Sequence, residues 1–170
     1  MKNWNSLAAL LLSVAVCLAI AGAGGLFTAV SVHDWYPSLQ KPSWTPPSWV
    51  FGPVWTILYL MMALAAWLVW RKRRMEKVRG ALGLFAFQLA LNAAWSPLFF
   101  GLKNPLAGLL DIVPLWAAIL VTLLSFRKIS LIAAVLLVPY WLWVGYAAAL
   151  NFAIWNMNWM PAFSDFISQT

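Results

Sequence analysis

Five uninterrupted apolar runs, at 7–30, 49–70, 81–102, 106–126 and 129–152, take up most of the 170 residues. Each is 21 to 24 residues long. At 1.5 Å per residue that is enough to cross a hydrocarbon core roughly 30 Å thick with some tilt. The runs are apolar without the polar–apolar alternation of barrel strands, which excludes a β-barrel. The fold class that follows is an all-α integral membrane protein: one five-transmembrane-helix bundle over 1–170, with a single longer loop at 31–48. A soluble enzyme, a nucleic-acid module and a disordered tail are excluded on the same ground. With 64% hydrophobic and 9% charged residues and a mean hydropathy of +0.83, the chain cannot clothe a soluble surface.

The net charge of +7 does not indicate nucleic acid. Six of the eleven basic residues, Arg71, Lys72, Arg73, Arg74, Lys77 and Arg79, fall in one short stretch between two apolar runs. That is a cytoplasmic topology signal, which also brings cations to anionic lipid, and not a folded binding face. With five spans, Lys2, this cluster, Arg127 and Lys128 share one side, while only Lys41 and Lys103 are on the other. The expected arrangement is a multi-pass protein of a bacterial cell membrane, with the N-terminus cytoplasmic and the 31–48 loop and the C-terminus outside.

The first run contains signal-peptidase-like sites at Ala19-Ile20-Ala21 and Ala21-Gly22-Ala23. The apolar stretch continues past both through Val30, so a retained helix is expected. Its Ala15, Ala19 and Ala23 form a small-residue stripe suited to close packing. The lone Cys17 reads as a small membrane-buried side chain.

Catalytic or metal chemistry finds little material. Asp111 is the only acid within a span, near its outer end, where it could meet interfacial water or cap a neighbouring helix. His33, the only histidine, reads as a solvated interfacial residue rather than a haem ligand. There is no metal-ligand cluster, no nucleophile–histidine set and no phosphate loop.

Tryptophan stands out. Interfacial belts account for Trp4, Trp67, Trp70, Trp155 and Trp159, but Trp35, Trp44, Trp49 and Trp55 crowd around the loop, and Trp95 and Trp143 lie inside helices, where an indole N–H needs a partner. Helical spacing aligns Trp55, Tyr59 and Met62 in the second helix; Gln88, Asn92, Trp95 and Ser96 in the third; and Tyr140, Trp143, Ala147 and Asn151 in the fifth. Such faces suit a pocket for a flat, largely apolar ligand. They equally suit helix-to-helix hydrogen bonding, and spacing leaves the two readings level. The loop Lys41-Pro42-Ser43-Trp44-Thr45-Pro46-Pro47-Ser48-Trp49 is stiffened by its prolines and reads as a lid. Thr45 or Ser48 is expected to cap the second helix, with Pro46 at a first helical position.

The run from Trp35-Tyr36-Pro37-Ser38-Leu39-Gln40-Lys41-Pro42 to Phe51-Gly52-Pro53-Val54-Trp55-Thr56, with Leu58-Tyr59, resembles the signature of the translocator protein (TspO) family. That family is also known as tryptophan-rich sensory proteins or peripheral-type benzodiazepine receptors. Gln88-Leu89-Ala90-Leu91-Asn92 with Trp95, Asp111, and Pro139-Tyr140 with Trp143, Ala147 and Leu150-Asn151 extend the resemblance over about 20–155. It implies a homodimeric five-helix bundle whose pocket opens toward the first loop and takes porphyrins, haem, and sterol- or benzodiazepine-like ligands, with no cofactor required. Ligand-binding positions carried over are Tyr36, Trp55, Asn92, Trp143 and Ala147. Lys41 is the candidate partner for porphyrin propionates, as the only basic residue in the loop. The alternative to a receptor or carrier is light-driven porphyrin degradation, with Trp55 and Trp143 as the candidate catalytic residues. The animal members' sterol pattern at the fifth helix is incomplete here, since no basic residue follows Lys128; Val32, Tyr36 and Lys41 match only its generic spacing.

Overall fold

The computed structural model describes the backbone of residues 2–168 and the side chains of residues 5–159. The side chains of Lys2 and Trp4, used above as topology and interface signals, lie outside the described residues. Five α-helices are present among the described residues: α1 (Lys2–Asp34), α2 (Phe51–Trp70), α3 (Val78–Ser96), α4 (Pro105–Arg127) and α5 (Leu131–Ser168). All five are long and apolar enough to cross a membrane, and there is no strand among the described residues.

Cross-links fix which ends lie together. The Trp67 indole N–H donates to Ser6 O at 2.8 Å, and Lys72 Nζ to Ile129 O at 2.6 Å. The start of α1, the α2–α3 turn and the α4–α5 turn therefore share the basic end. At the other end the first loop sits against α5, at Tyr146 and Asn158. α4 packs along α3 and α5, and α1 along α2.

The core follows the rule for helices solvated by lipid, where close approach through small residues replaces a hydrophobic drive. Ala63, Ala65, Ala66, Ala81, Ala133 and Ala134 are buried between helices, around Met62, Ile119, Phe126 and Tyr140. Large apolar residues such as Leu26, Leu110 and Ile132 face outward. A smaller cluster of Leu39, Phe99, Phe100, Leu150 and Ile154 closes the loop end.

Several boundaries and faces differ from the sequence expectations. α1 runs through Asp34, since nothing before Pro37 breaks it, so the loop is 35–47 rather than 31–48. α5 continues well past 152 as one helix. The Ala15, Ala19 and Ala23 stripe is exposed, while α1 packs through Cys17, Gly24 and Ser31; a Cβ on Gly24 would come within 3.2 Å of Ser96 Oγ. Neither Thr45 nor Ser48 caps α2. The Thr45 hydroxyl donates to Pro42 O at 2.7 Å, Pro46 precedes the helical residues, and a 3₁₀ turn at Ser48–Val50 leads into the helix.

The cap that does form is Asn104, whose Oδ1 accepts from the Leu106 and Ala107 N–H groups, with Pro105 at the first helical position. Between α3 and α4, Pro97–Gly101 forms a π-helical turn, closed by Leu102 N–H to Pro97 O at 2.8 Å. Lys103 then takes a left-handed conformation with φ of 51°.

Candidate functional site

A cavity of about 510 Å³ lies beneath the first loop, bounded by α1, α2, α3, the π-helical turn and α5. α1 contributes a strip without bulk, including Ala21, Gly24, Gly25 and Thr28, and α2 brings Phe51, Trp55 and Tyr59. α3 and the π-helical turn add Asn92, Trp95, Phe99 and Phe100, α5 adds Ala147, Leu150 and Asn151, and Tyr36 reaches down from the loop. The π turn matters here, because widening the helix at Pro97 presents Phe99 and Phe100 to the space. The Phe100 carbonyl is taken up by the Ser31 hydroxyl at 2.8 Å.

Of the five ligand positions implied by the resemblance, Tyr36, Trp55, Asn92 and Ala147 line this cavity. Trp143 does not. Its ring stands against Phe51, with centroids 5.9 Å apart, and against Tyr146 at 5.6 Å, and its buried indole N–H has no partner among the described residues.

The polar faces do bond helix to helix. Tyr59 donates to Asn92 Oδ1, Asn92 Nδ2 donates to Tyr140 Oη at 2.9 Å, and Tyr140 donates to Gln88 Oε1 at 2.9 Å. The Trp95 indole N–H donates to Asn151 Oδ1 at 3.2 Å, and Asn151 Nδ2 to Pro105 O at 2.7 Å. The readings left level by spacing are thus both present: amides and phenols lock the helices, while aromatic surfaces face the cavity. Trp95 stacks on Phe99 at 5.1 Å, forming part of that wall. Gly108 lets α4 approach, for a Cβ there would lie 2.9 Å from both Asn151 Oδ1 and the Phe99 ring.

No charged side chain among the described residues lines the cavity. The Lys41 ammonium donates to Tyr36 O at 2.7 Å, Leu39 O at 2.8 Å and Pro37 O at 3.3 Å, which uses its three N–H groups to fasten the loop. It also lies 4.9 Å from the Tyr36 ring centroid. His33 is exposed in the last turn of α1. Asp111 is buried, has an unpartnered Oδ2 among the described residues, and caps no helix. Burial, with a smaller contribution from Tyr146, pushes the Tyr36 phenol up to about 12, so it is a neutral hydrogen-bonding group at the cavity edge.

The loop is clasped from above. Gln40 N–H donates to Asn158 Oδ1 and Asn158 Nδ2 donates back to Gln40 O, both at 2.9 Å. Tyr146 Oη donates to Trp44 O at 2.8 Å, with the two rings edge to face at 5.5 Å. Sequence reasoning missed the α1 wall, although glycines, an alanine and a threonine interrupting a leucine-rich span were a usable signal. It also missed Asn158, whose partner is a backbone group that carries no residue signature.

The TspO/MBR family model matches residues 13–156. The chain belongs to the TspO/MBR family. It is 48% identical over 153 residues to the tryptophan-rich protein TspO of Chlorobaculum tepidum, covering 88% of this chain and 95% of that one. It is 43% identical over 126 residues to the human translocator protein, covering 73% and 75%. It is 39% identical over 146 residues to the tryptophan-rich sensory protein of Cereibacter sphaeroides, covering 86% and 89%. As a TspO/MBR protein with five spanning helices, the chain is an integral multi-pass membrane protein.

Proposed function

We propose that this TspO/MBR protein is a membrane receptor or carrier that holds a tetrapyrrole in the cavity beneath the first loop. The carrying observation is the cavity itself: about 510 Å³, within the usual range for small-molecule sites, with aromatic walls and no charge. A flat macrocycle finds ring faces in Trp55, Trp95 and Phe99, and its carboxylates, which have no cation inside, project toward the mouth near Tyr36. Relatives named as translocator and sensory proteins support a role in moving or reporting a ligand. The light-driven alternative gains less support, because Trp55 touches the cavity while Trp143 stands behind Phe51. We place the basic end in the cytoplasm, and a homodimer contact on the outward face of α3, where Ala86 and Ala90 are exposed.

The test is a titration of the purified chain with protoporphyrin IX, read by tryptophan quenching, for the unaltered protein and for Ala147→Phe. Saturable quenching that weakens at least about tenfold in the variant supports the reading. Absence of saturable binding in the unaltered protein overturns it.

A further inference from the structure

A second concavity lies at the opposite, basic end and belongs to no part of the site above. It is a groove of about 210 Å³ between α1, α2 and α3, lined among others by Ala9, Ser13, Cys17, Trp67, Trp70 and Phe85. From Ala9 to Cys17 it follows α1 for about 12 Å at the helical rise. Its one hydroxyl is already engaged, since Ser13 shares its single proton between Leu10 O at 2.9 Å and Ala63 O at 3.1 Å. The groove is therefore apolar along its length.

Its mouth is not. Arg71 holds its guanidinium 4.8 Å from the Trp67 ring centroid, and Arg73 holds its own 4.1 Å from that of Trp70. Both rings line the groove. Trp67 is pinned by its bond to Ser6 O, so this cation is presented on a fixed platform. Both arginines are exposed. Lys72, between them, is turned away to Ile129 O. The stretch 71–79 carries six basic residues against a single acid, Glu76, so the positive charge is not neutralised locally.

An apolar groove at the basic end of the bundle, with a cation on each of two of its wall rings, matches an amphiphile with an apolar chain and an anionic head. Arginine over an aromatic ring keeps edge N–H donors that suit phosphate oxygens. We propose that this groove is a binding site for one anionic glycerophospholipid, with an acyl chain along α1 and α2 and its phosphate held by Arg71 and Arg73. The net positive charge of the segment selects an anionic over a zwitterionic head.

The full chain, reconstituted with phosphatidylcholine and a minor share of phosphatidylglycerol, is released for native mass spectrometry. One phosphatidylglycerol retained in preference to phosphatidylcholine is the expected result. Arg71→Gln with Arg73→Gln should weaken that retention about tenfold or more. Arg127→Gln with Lys128→Gln, the same charge loss on the same side but away from the groove, should leave it intact. No preference for phosphatidylglycerol, or equal loss in the two double variants, overturns the proposal. So does competition by short-chain dihexanoyl phosphatidylglycerol as effective as that of the long-chain lipid, because the groove would then contribute nothing.

Discussion

Replacing Tyr140 by Phe removes one oxygen atom from the centre of the bundle. Tyr140 is fully enclosed. Its hydroxyl accepts from Asn92 Nδ2 and donates to Gln88 Oε1, each at 2.9 Å, so it joins α5 to α3 through two amides. Gln88 Nε2 has no partner among the described residues, and the change strips that amide of its remaining bond there. A buried polar group left unpaired costs about 1–3 kcal/mol. Interhelical hydrogen bonds in membranes average only about 0.6 kcal/mol, because the unfolded state within the membrane also finds partners. Two such bonds bracket the loss between about 1 and 6 kcal/mol, and we expect about 2 kcal/mol, near the membrane value. The assay is equilibrium denaturation in mixed micelles, run as a cycle with Gln88→Leu. That substitution removes the orphaned amide, so the double variant should be less destabilised than the sum of the two single changes. Unaltered stability in Tyr140→Phe, or strict additivity with Gln88→Leu, would refute the network as an energetic unit.

Three further outcomes follow from single contacts. Asn104→Ala removes the side-chain acceptor of two N–H groups at the start of α4 and should lower stability by about 1 kcal/mol in the same denaturation assay. Gly108→Val forces a side chain into Asn151 and Phe99; it should destabilise by about 1–3 kcal/mol and reduce porphyrin affinity by displacing two cavity walls. Asn158→Ala breaks the reciprocal clasp on Gln40; hydrogen exchange at the loop backbone should quicken, and porphyrin dissociation in stopped flow should quicken with it, while equilibrium unfolding shifts little.

The five spans were legible because the bilayer imposes one length and one composition on every crossing segment. The face each span presents was harder to read. α1 is apolar almost all round, so its alanine stripe and its Cys17–Gly24–Ser31 face were equivalent as patterns. Only packing against α2 and α3 separates them. Periodicity put Trp143 on one stripe with Ala147, and the resemblance carried both over with Trp55 and Asn92 as ligand positions; Trp143 departs because a large ring one turn from Ala147 can swing to a neighbouring groove, and here it meets Phe51 and Tyr146. The Asn104 cap escaped notice because the apolar run begins only at Leu106. The π turn at Pro97–Gly101 depends on tertiary fit around Phe99 and Phe100 and leaves no periodic trace. Lys41 looked free in the sequence, yet its bonds to three nearby carbonyls are a local geometry that composition cannot convey.

The most direct measurement is a structure of the chain determined with protoporphyrin IX bound. We expect the macrocycle beneath the first loop, in contact with Trp55, Trp95 and Ala147, with its carboxylates toward Tyr36 and the mouth. A macrocycle seated on the outer, lipid-facing surface of the bundle, with the cavity between α1, α2, α3 and α5 left empty, would contradict it.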